Sequence, residues 1–327
     1  MKEPIQWAEL SKLRPEELVG MLTAHPIAYL PSGVIEWHDA QNPLGTDTLK
    51  MAAICRRTAA RTGGVVLPPS YVGTGVLVHP PTDMPYGGLN FSAELVGRYL
   101  EEMFTQLEAL GFSLIVLCYG HTSAENINAH EVTARDYMLR EDTQTKVLCL
   151  TDYGPAVRHR YRARDHAAKW ETSFMMASYP DRVRMEAIAE DHGPWHGLDP
   201  RLHASSREGE SMYNHVAEES ARLVEMALAA PRAALVNWTF IETTECWKDC
   251  RNIEELKADL WQGDDLWEDP WCDFCLWRAP GLIRFLTELK GRDWMRRRAE
   301  VWMSRVRYYP CQADRLRAAI QEEFGGL

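Results

Sequence analysis

The chain has 327 residues, 46% of them hydrophobic and 25% charged, which is the balance of a folded globular protein with room for one large α/β domain with additions, or two smaller ones. A formal net charge of −11 argues against a surface built to hold nucleic acid or anionic membranes. No apolar h-region follows Met1 and no apolar run reaches the length of about 18 residues that a membrane span needs, so a cytoplasmic protein is expected, its eight cysteines thiols rather than disulfides.

In chain order, "IAYLPSGVIE" (27–36) reads as a strand with a break at Pro31. "TDTLKMAAICRRTAART" (46–62) has helical spacing and stops at Gly63-Gly64, and "GVVLPP" (64–69) is a short buried strand. The segment 92–111 opens with a Ser cap and sets Leu95, Leu100, Met103, Leu107 and Leu110 near one helix face. "FSLIVLCYG" (112–120) is apolar throughout, as a central parallel strand should be; "KVLCLTD" (146–152) and "AALVNWTF" (233–240) are two further strand candidates. This alternation predicts a mostly parallel sheet covered by helices on both faces. Beyond residue 240 the character changes, with seven of the twelve tryptophans, five cysteines and the acidic run "GDDLWEDPW". We expect a core of residues 1–240 and a Trp/Cys-rich helical extension of 241–327, packed on that core or on a neighbouring subunit.

In an open α/β sheet, functional groups gather at the carboxyl ends of the strands. One such end brings Glu36, His38 and, at the start of the next helix, Asp47; another brings His121 and Glu125. Period two along an extended segment points Glu36 and His38 to the same side. Mixed imidazole and carboxylate donors suit a hard or borderline divalent ion, and Asp47, using both oxygens, could bridge two. Each piece alone has a plainer reading: a strand-end histidine beside an acid, and in Glu125 an acid favoured by a helix N-terminus.

Four segments in order resemble the creatininase (creatinine amidohydrolase) family. "LPSGVIEWHDAQNPLGTDT" is similar to a strand followed by E-x-H-G-x-H-L-P-x-x-T-D, matched at Glu36, His38, Pro43, Thr46 and Asp47. "ALGFSLIVLCYGHTSAEN", "DHAAKWETSFMMASYPDRV" and "GLDPRLHASSREGE" resemble the family's G-F-x-x-I-x-x-x-N-G-H-G-G-N, H-A-G-x-x-E-T-S-x-M-L and G-D-P-x-x-A-S segments. The resemblance implies a three-layer α/β/α hydrolase with two divalent metal ions (zinc, manganese or iron), usually a hexamer. By position it implies Glu36 and His121 on one ion, His38 on the other, Asp47 bridging, and His166 as the catalytic histidine. The glutamate that creatininases carry two residues after the second histidine is Ser123 here. Glu125 is then the nearest acid, with Glu171 of "ETS" as fallback ligand or supporting acid.

The expected reaction is hydrolysis of a C–N bond in a small cyclic or formyl amide, with His166 delivering a proton to the leaving nitrogen. The Trp and Asp that shape the family's creatinine pocket correspond to Arg162 and Ala163, which argues against creatinine and for a more polar or anionic substrate. Two alternatives stand beside this reading: hydrolysis of a ring C–C bond in a cyclic ketone, and a silent scaffold, against which the retained Glu36, His38, Asp47 and His121 weigh. "CWKDC" (246–250) and "CDFC" (272–275) have the spacing of a thiolate zinc site, but buried thiols among tryptophans are the simpler account. The basic stretch 290–309 reads as an amphipathic helix rather than a nucleic-acid surface. A small-molecule substrate and a homo-oligomer are the expected partners, without nucleic acid or membrane.

Overall fold

Five short segments lie side by side in the computed structural model, which describes residues 6–76, 87–152, 166–192, 195, 197–232 and a few positions beyond. They are β1 (Trp7–Glu9), β2 (Ile27–Ser32), β4 (Gly64–Val66), β6 (Leu114–Tyr119) and β7 (Lys146–Thr151), paired in the order β1-β4-β2-β6-β7 with every pairing parallel. β2 and β6 have neighbours on both sides and are buried at every residue, which is why they read as apolar runs without alternation. A separate antiparallel pair joins β3 (Ile35–Glu36) to β5 (Gly88–Leu89).

Helices cover both faces of the sheet. The Tyr29 hydroxyl meets Thr62 of α2 (Thr46–Thr62), whereas Ser32 bonds His130 of α4 (Ala124–Leu139) at 3.0 Å. Positions 29 and 32 point to opposite sides of a strand, so α2 and α4 lie on opposite faces. α5 (Lys169–Ser178) and the long α7 (Ser206–Ala229) pack with α2, while α3 (Ala93–Leu110) meets α4 through Phe104 and Tyr137, ring centroids 5.4 Å apart. α1 (Pro15–Ala24) and the short α6 (Pro200–His203) belong to the same unit. The result is the expected three-layer arrangement.

Several boundaries differ from expectation. The strand expected over 27–36 runs on through Pro31 and breaks instead at Gly33–Val34. The Pro31 carbonyl accepts from Ser70 N on the β4 side, where the β2–β4 ladder has already ended, so the missing N–H leaves no gap in it. Helix α2 has the expected ends, but the strand after it is only Gly64–Val66. In α3, Ser92 caps Leu95 N as anticipated, yet the buried stripe is Val96, Leu100, Phe104 and Leu107, and Leu95 and Leu110 are exposed. The candidate strand 233–240 falls almost wholly outside the described residues, as do both cysteine pairs and most of 290–309. The chain separates into one unit of Met1–His121 with Glu125–Thr239 and another of Thr122–Ala124 with Phe240–Leu327; the site lies in the first.

Two glycines place the sheet edge against the first turn of α2. A Cβ on Gly33 would come within 2.6 Å of Thr48 N, and one on Gly120 within 2.3 Å of Asp47 O. Both strand ends therefore close onto the helix start that carries Asp47.

Candidate metal centre

Three strand ends and two helix starts converge at this edge. Glu36 ends β3 and His38 follows by two residues, Asp47 lies in the first turn of α2, and His121 follows β6. Asp152 follows β7 directly, and Glu171 lies in the first turn of α5. Glu36, His38, Asp47 and Glu171 are each at most 3% exposed.

The two carboxylate oxygens of Asp47 face different histidines. Its Oδ2 is 3.4 Å from His121 Nδ1, which also lies 3.0 Å from Glu36 Oε2. Its Oδ1 is 3.5 Å from His38 Nε2, which lies 3.4 Å from Glu171 Oε2. Donor atoms of Glu36, Asp47 and His121 all fall within 4.8 Å of one another, and so do those of His38, Asp47 and Glu171. The other ring nitrogens are held by main-chain carbonyls: His38 Nδ1 by Glu36 O at 3.0 Å, and His121 Nε2 by Gly75 O at 3.1 Å. A carbonyl only accepts, so these nitrogens carry hydrogen, and in the neutral rings the lone pairs point into the cluster.

Burial disfavours charge on both histidines. It is outweighed by Glu171 and Asp47 around His38 and by Glu36 around His121, and both rings are held well above the usual imidazole range. Burial likewise opposes ionisation of Asp47, but Lys50 and His38 draw its carboxyl well below the usual range. Such a cluster exchanges protons for a divalent cation, so ion binding releases protons. The fit to an ion is specific: His38 Nε2 and Asp47 Oδ2 are buried yet make no hydrogen bond, and the donors are the nitrogen and oxygen mixture that zinc, manganese and iron accept.

Five of the predicted residues, Glu36, His38, Asp47, His121 and Glu171, thus come together. His166 joins them: its ring centroid is 4.8 Å from that of His38, it is half-buried, and its Nε2 is shielded without a hydrogen bond. His166 also has a donor atom within reach of both Glu36 and His38. Burial, then the neighbouring His38, hold the His166 imidazole below its usual range. Glu125 does not join; it is exposed in the first turn of α4, where the residues after His121 already wind into helix. Glu171, rather than Glu125, is the acid that the fold brings within reach of His38. Ser123 is half-buried in the other unit, and Arg162 lies outside the described residues.

Sequence reasoning missed Lys50 and Asp152. Lys50 Nζ lies 3.0 Å from Asp47 Oδ1 and 2.7 Å from Asp152 Oδ2, and it bonds Glu171 Oε1. Lys50 is fully enclosed; burial pushes the Asp152 carboxyl up to about 6, against the pull of Lys50. The available signals were Lys50 one turn after Asp47 on a buried face, and Asp152 at the end of a buried strand. The residues between His38 and Pro43, where the chain leaves the family pattern, tie the site's two halves together. Gln41 donates to Ala167 O at 2.6 Å, Asn42 to Thr172 Oγ1 at 2.9 Å, and Ala167 N to Glu171 Oε2 at 2.6 Å. Asp39 pairs with His192 at 2.6 Å, and His192 stacks on Trp195 with centroids 3.8 Å apart.

A family model described as creatininase, creatinine amidohydrolase, matches residues 11–224. The creatinine amidohydrolase of Pseudomonas putida is 27% identical over 188 residues, covering 51% of this chain and 70% of that protein. Among solved structures, the Mn structure of creatininase shares the fold with a TM-score of 0.54 at 20% identity, over 68% of this chain and 98% of its own. A Zn–Zn form of a creatininase mutant gives 0.54 at 21% identity, over 66% and 96%. With a parallel sheet flanked by helices, a cluster of acids and histidines able to bind metal, and a family match over well more than half its length, the chain belongs to the creatininase family, which has the fold of a metal-dependent amidohydrolase.

Proposed function

We propose that the chain hydrolyses a C–N bond of a small amide, cyclic or formyl, using two divalent ions. The observation that carries this reading is Asp47, whose two oxygens face separate sets of donors, Glu36 with His121 and His38 with Glu171. Those residues would hold the pair, with Asp47 common to both. When bound, such ions lower the pKa of water and polarise a substrate carbonyl. His166 has the other role: its shielded Nε2 and lowered pKa leave the ring neutral near pH 7, ready to take a proton and return it to the departing nitrogen. Arg162 and Ala163, where the family's creatinine pocket has Trp and Asp, direct the search away from creatinine.

The test is a screen of zinc- and manganese-loaded protein on lactams, formamides and cyclic ureas, scored by release of amine. Asp47→Ala is expected to abolish turnover. His166→Gln should lower kcat by about 10²–10⁴-fold with bound metal unchanged. Acid release without amine would point to C–C cleavage, and wild-type protein that retains no divalent ion would sink the reading altogether.

A further inference from the structure

Gln41 and Asn42 stand where the family pattern E-x-H-G-x-H-L-P has histidine and leucine, so this chain has two side-chain amides in their place. Both are buried, at 1% and 8% exposure. Their orientations are fixed by what they touch. Gln41 lies 2.6 Å from Ala167 O, which can only accept, so the nitrogen of its amide faces Ala167. Thr172 gives its hydroxyl proton to the same carbonyl at 3.1 Å. The Thr172 oxygen is then left as an acceptor, so Asn42 turns its nitrogen to it at 2.9 Å. Both carbonyl ends, Gln41 Oε1 and Asn42 Oδ1, are therefore enclosed without a hydrogen-bond partner among the described residues.

A buried acceptor left without a donor costs the full desolvation of that group, so two such oxygens on adjacent residues call for a ligand that donates. Their place is specific. Ala167 follows His166 and Thr172 follows Glu171, so the amides flank the His166 and Glu171 side of the cluster. The geometry points to Gln41 and Asn42 as a substrate subsite whose two carbonyls accept N–H groups of the substrate. The substrate is then an amide with N–H donors of its own, as a cyclic urea has, and not a lactam or formamide substituted at nitrogen. Selectivity follows from the cost: a ligand without the N–H leaves the buried carbonyls unmatched. A donor held there also sits on the side of His166, which in the proposed reaction returns a proton to the departing nitrogen. The inference rests on the small-amide reading and narrows it.

The test is ligand-observed NMR titration of the full-length protein, with and without added Zn²⁺, using ethyleneurea and its N,N′-dimethyl form as probes. Wild type is expected to bind the parent urea at least about tenfold more tightly than the dimethyl form. Asn42→Leu, which installs the family's residue, should weaken the parent by about tenfold and leave the dimethyl form unchanged. Gln41→Met should do the same, and it carries the comparison if circular dichroism shows the first variant unfolded. A preference retained in full by both variants shows only a clash with the added methyl groups and overturns the subsite. Equal binding of the two ureas by wild type, the result expected if ordered water serves both oxygens, overturns it too, as does binding of neither. A variant that weakens both ureas alike shows a structural role alone and counts equally against it. The readout needs no turnover: selective binding of the parent urea without amine release from any amide would sink the C–N reading and leave the N–H-accepting subsite standing.

Discussion

At the scale of single residues, the site depends on how one carboxylate is shared. Asp47 can face two histidines because each ring is aimed by a main-chain carbonyl, Glu36 O for His38 and Gly75 O for His121, rather than by another side chain. Glu171→Gln and Glu125→Gln should therefore behave differently. The first should lose metal from the His38 side, by about 10–100-fold in affinity, and the second should leave metal content unchanged; elemental analysis at fixed free metal checks both. The histidines and acids at strand ends were legible because their types and spacing carry the chemistry on their face. Lys50 was not, since a lysine in a helix reads as a solvated side chain, and only the fold reveals three acids around it. Glu125, four residues after His121, takes the plainer of the two places its sequence offered: exposed in the first turn of α4, where an acid suits a helix N-terminus.

At the scale of elements, periodicity located most strands and helices of the described sheet but missed where neighbours decide the detail. The α3 stripe was displaced because its apolar residues cover more than half the helix, and packing on α4 selected Val96, Leu100, Phe104 and Leu107. The strand expected over 27–36 divides because Gly33 presses onto Thr48, a contact with a helix that no local pattern reports. The α4–β2 contact also has a measurable consequence. His130 Nδ1 bonds Asn126 O at 2.8 Å and its Nε2 meets Ser32 Oγ at 3.0 Å, and burial lowers its pKa from 6.5 to about 4. Between those values the unfolded chain binds a proton that the folded one refuses, so stability falls as pH drops from about 6.5 to about 4. The contribution of this one residue is about 3 kcal/mol over that window. Urea melts of wild type and His130→Gln across pH 4–7 should show the variant's stability curve flatter by that amount.

At the scale of the whole molecule, the expected fold class is met over the described core, and no helix among the described residues is long and apolar enough to cross a membrane. An ion that binds the folded cluster and not the unfolded chain stabilises the fold by linkage, so chelation should destabilise the protein. An ion present at a thousand times its Kd adds about 4 kcal/mol, which for a domain of this class is roughly 10 °C in Tm. Calorimetric scans with and without chelator measure it, and an unchanged Tm would count against a resident ion. The expected homo-oligomer is checked by light scattering of the same samples. One further consequence concerns time rather than equilibrium. The donors come from positions between residues 36 and 171, brought together only when β2, β6 and β7 have aligned and α2 and α5 have docked. An ion has little to grip before that last assembly step, so it should slow unfolding while leaving the folding rate nearly unchanged, visible as a shift of only the unfolding arm of a chevron plot. The metal would act as a latch rather than a template.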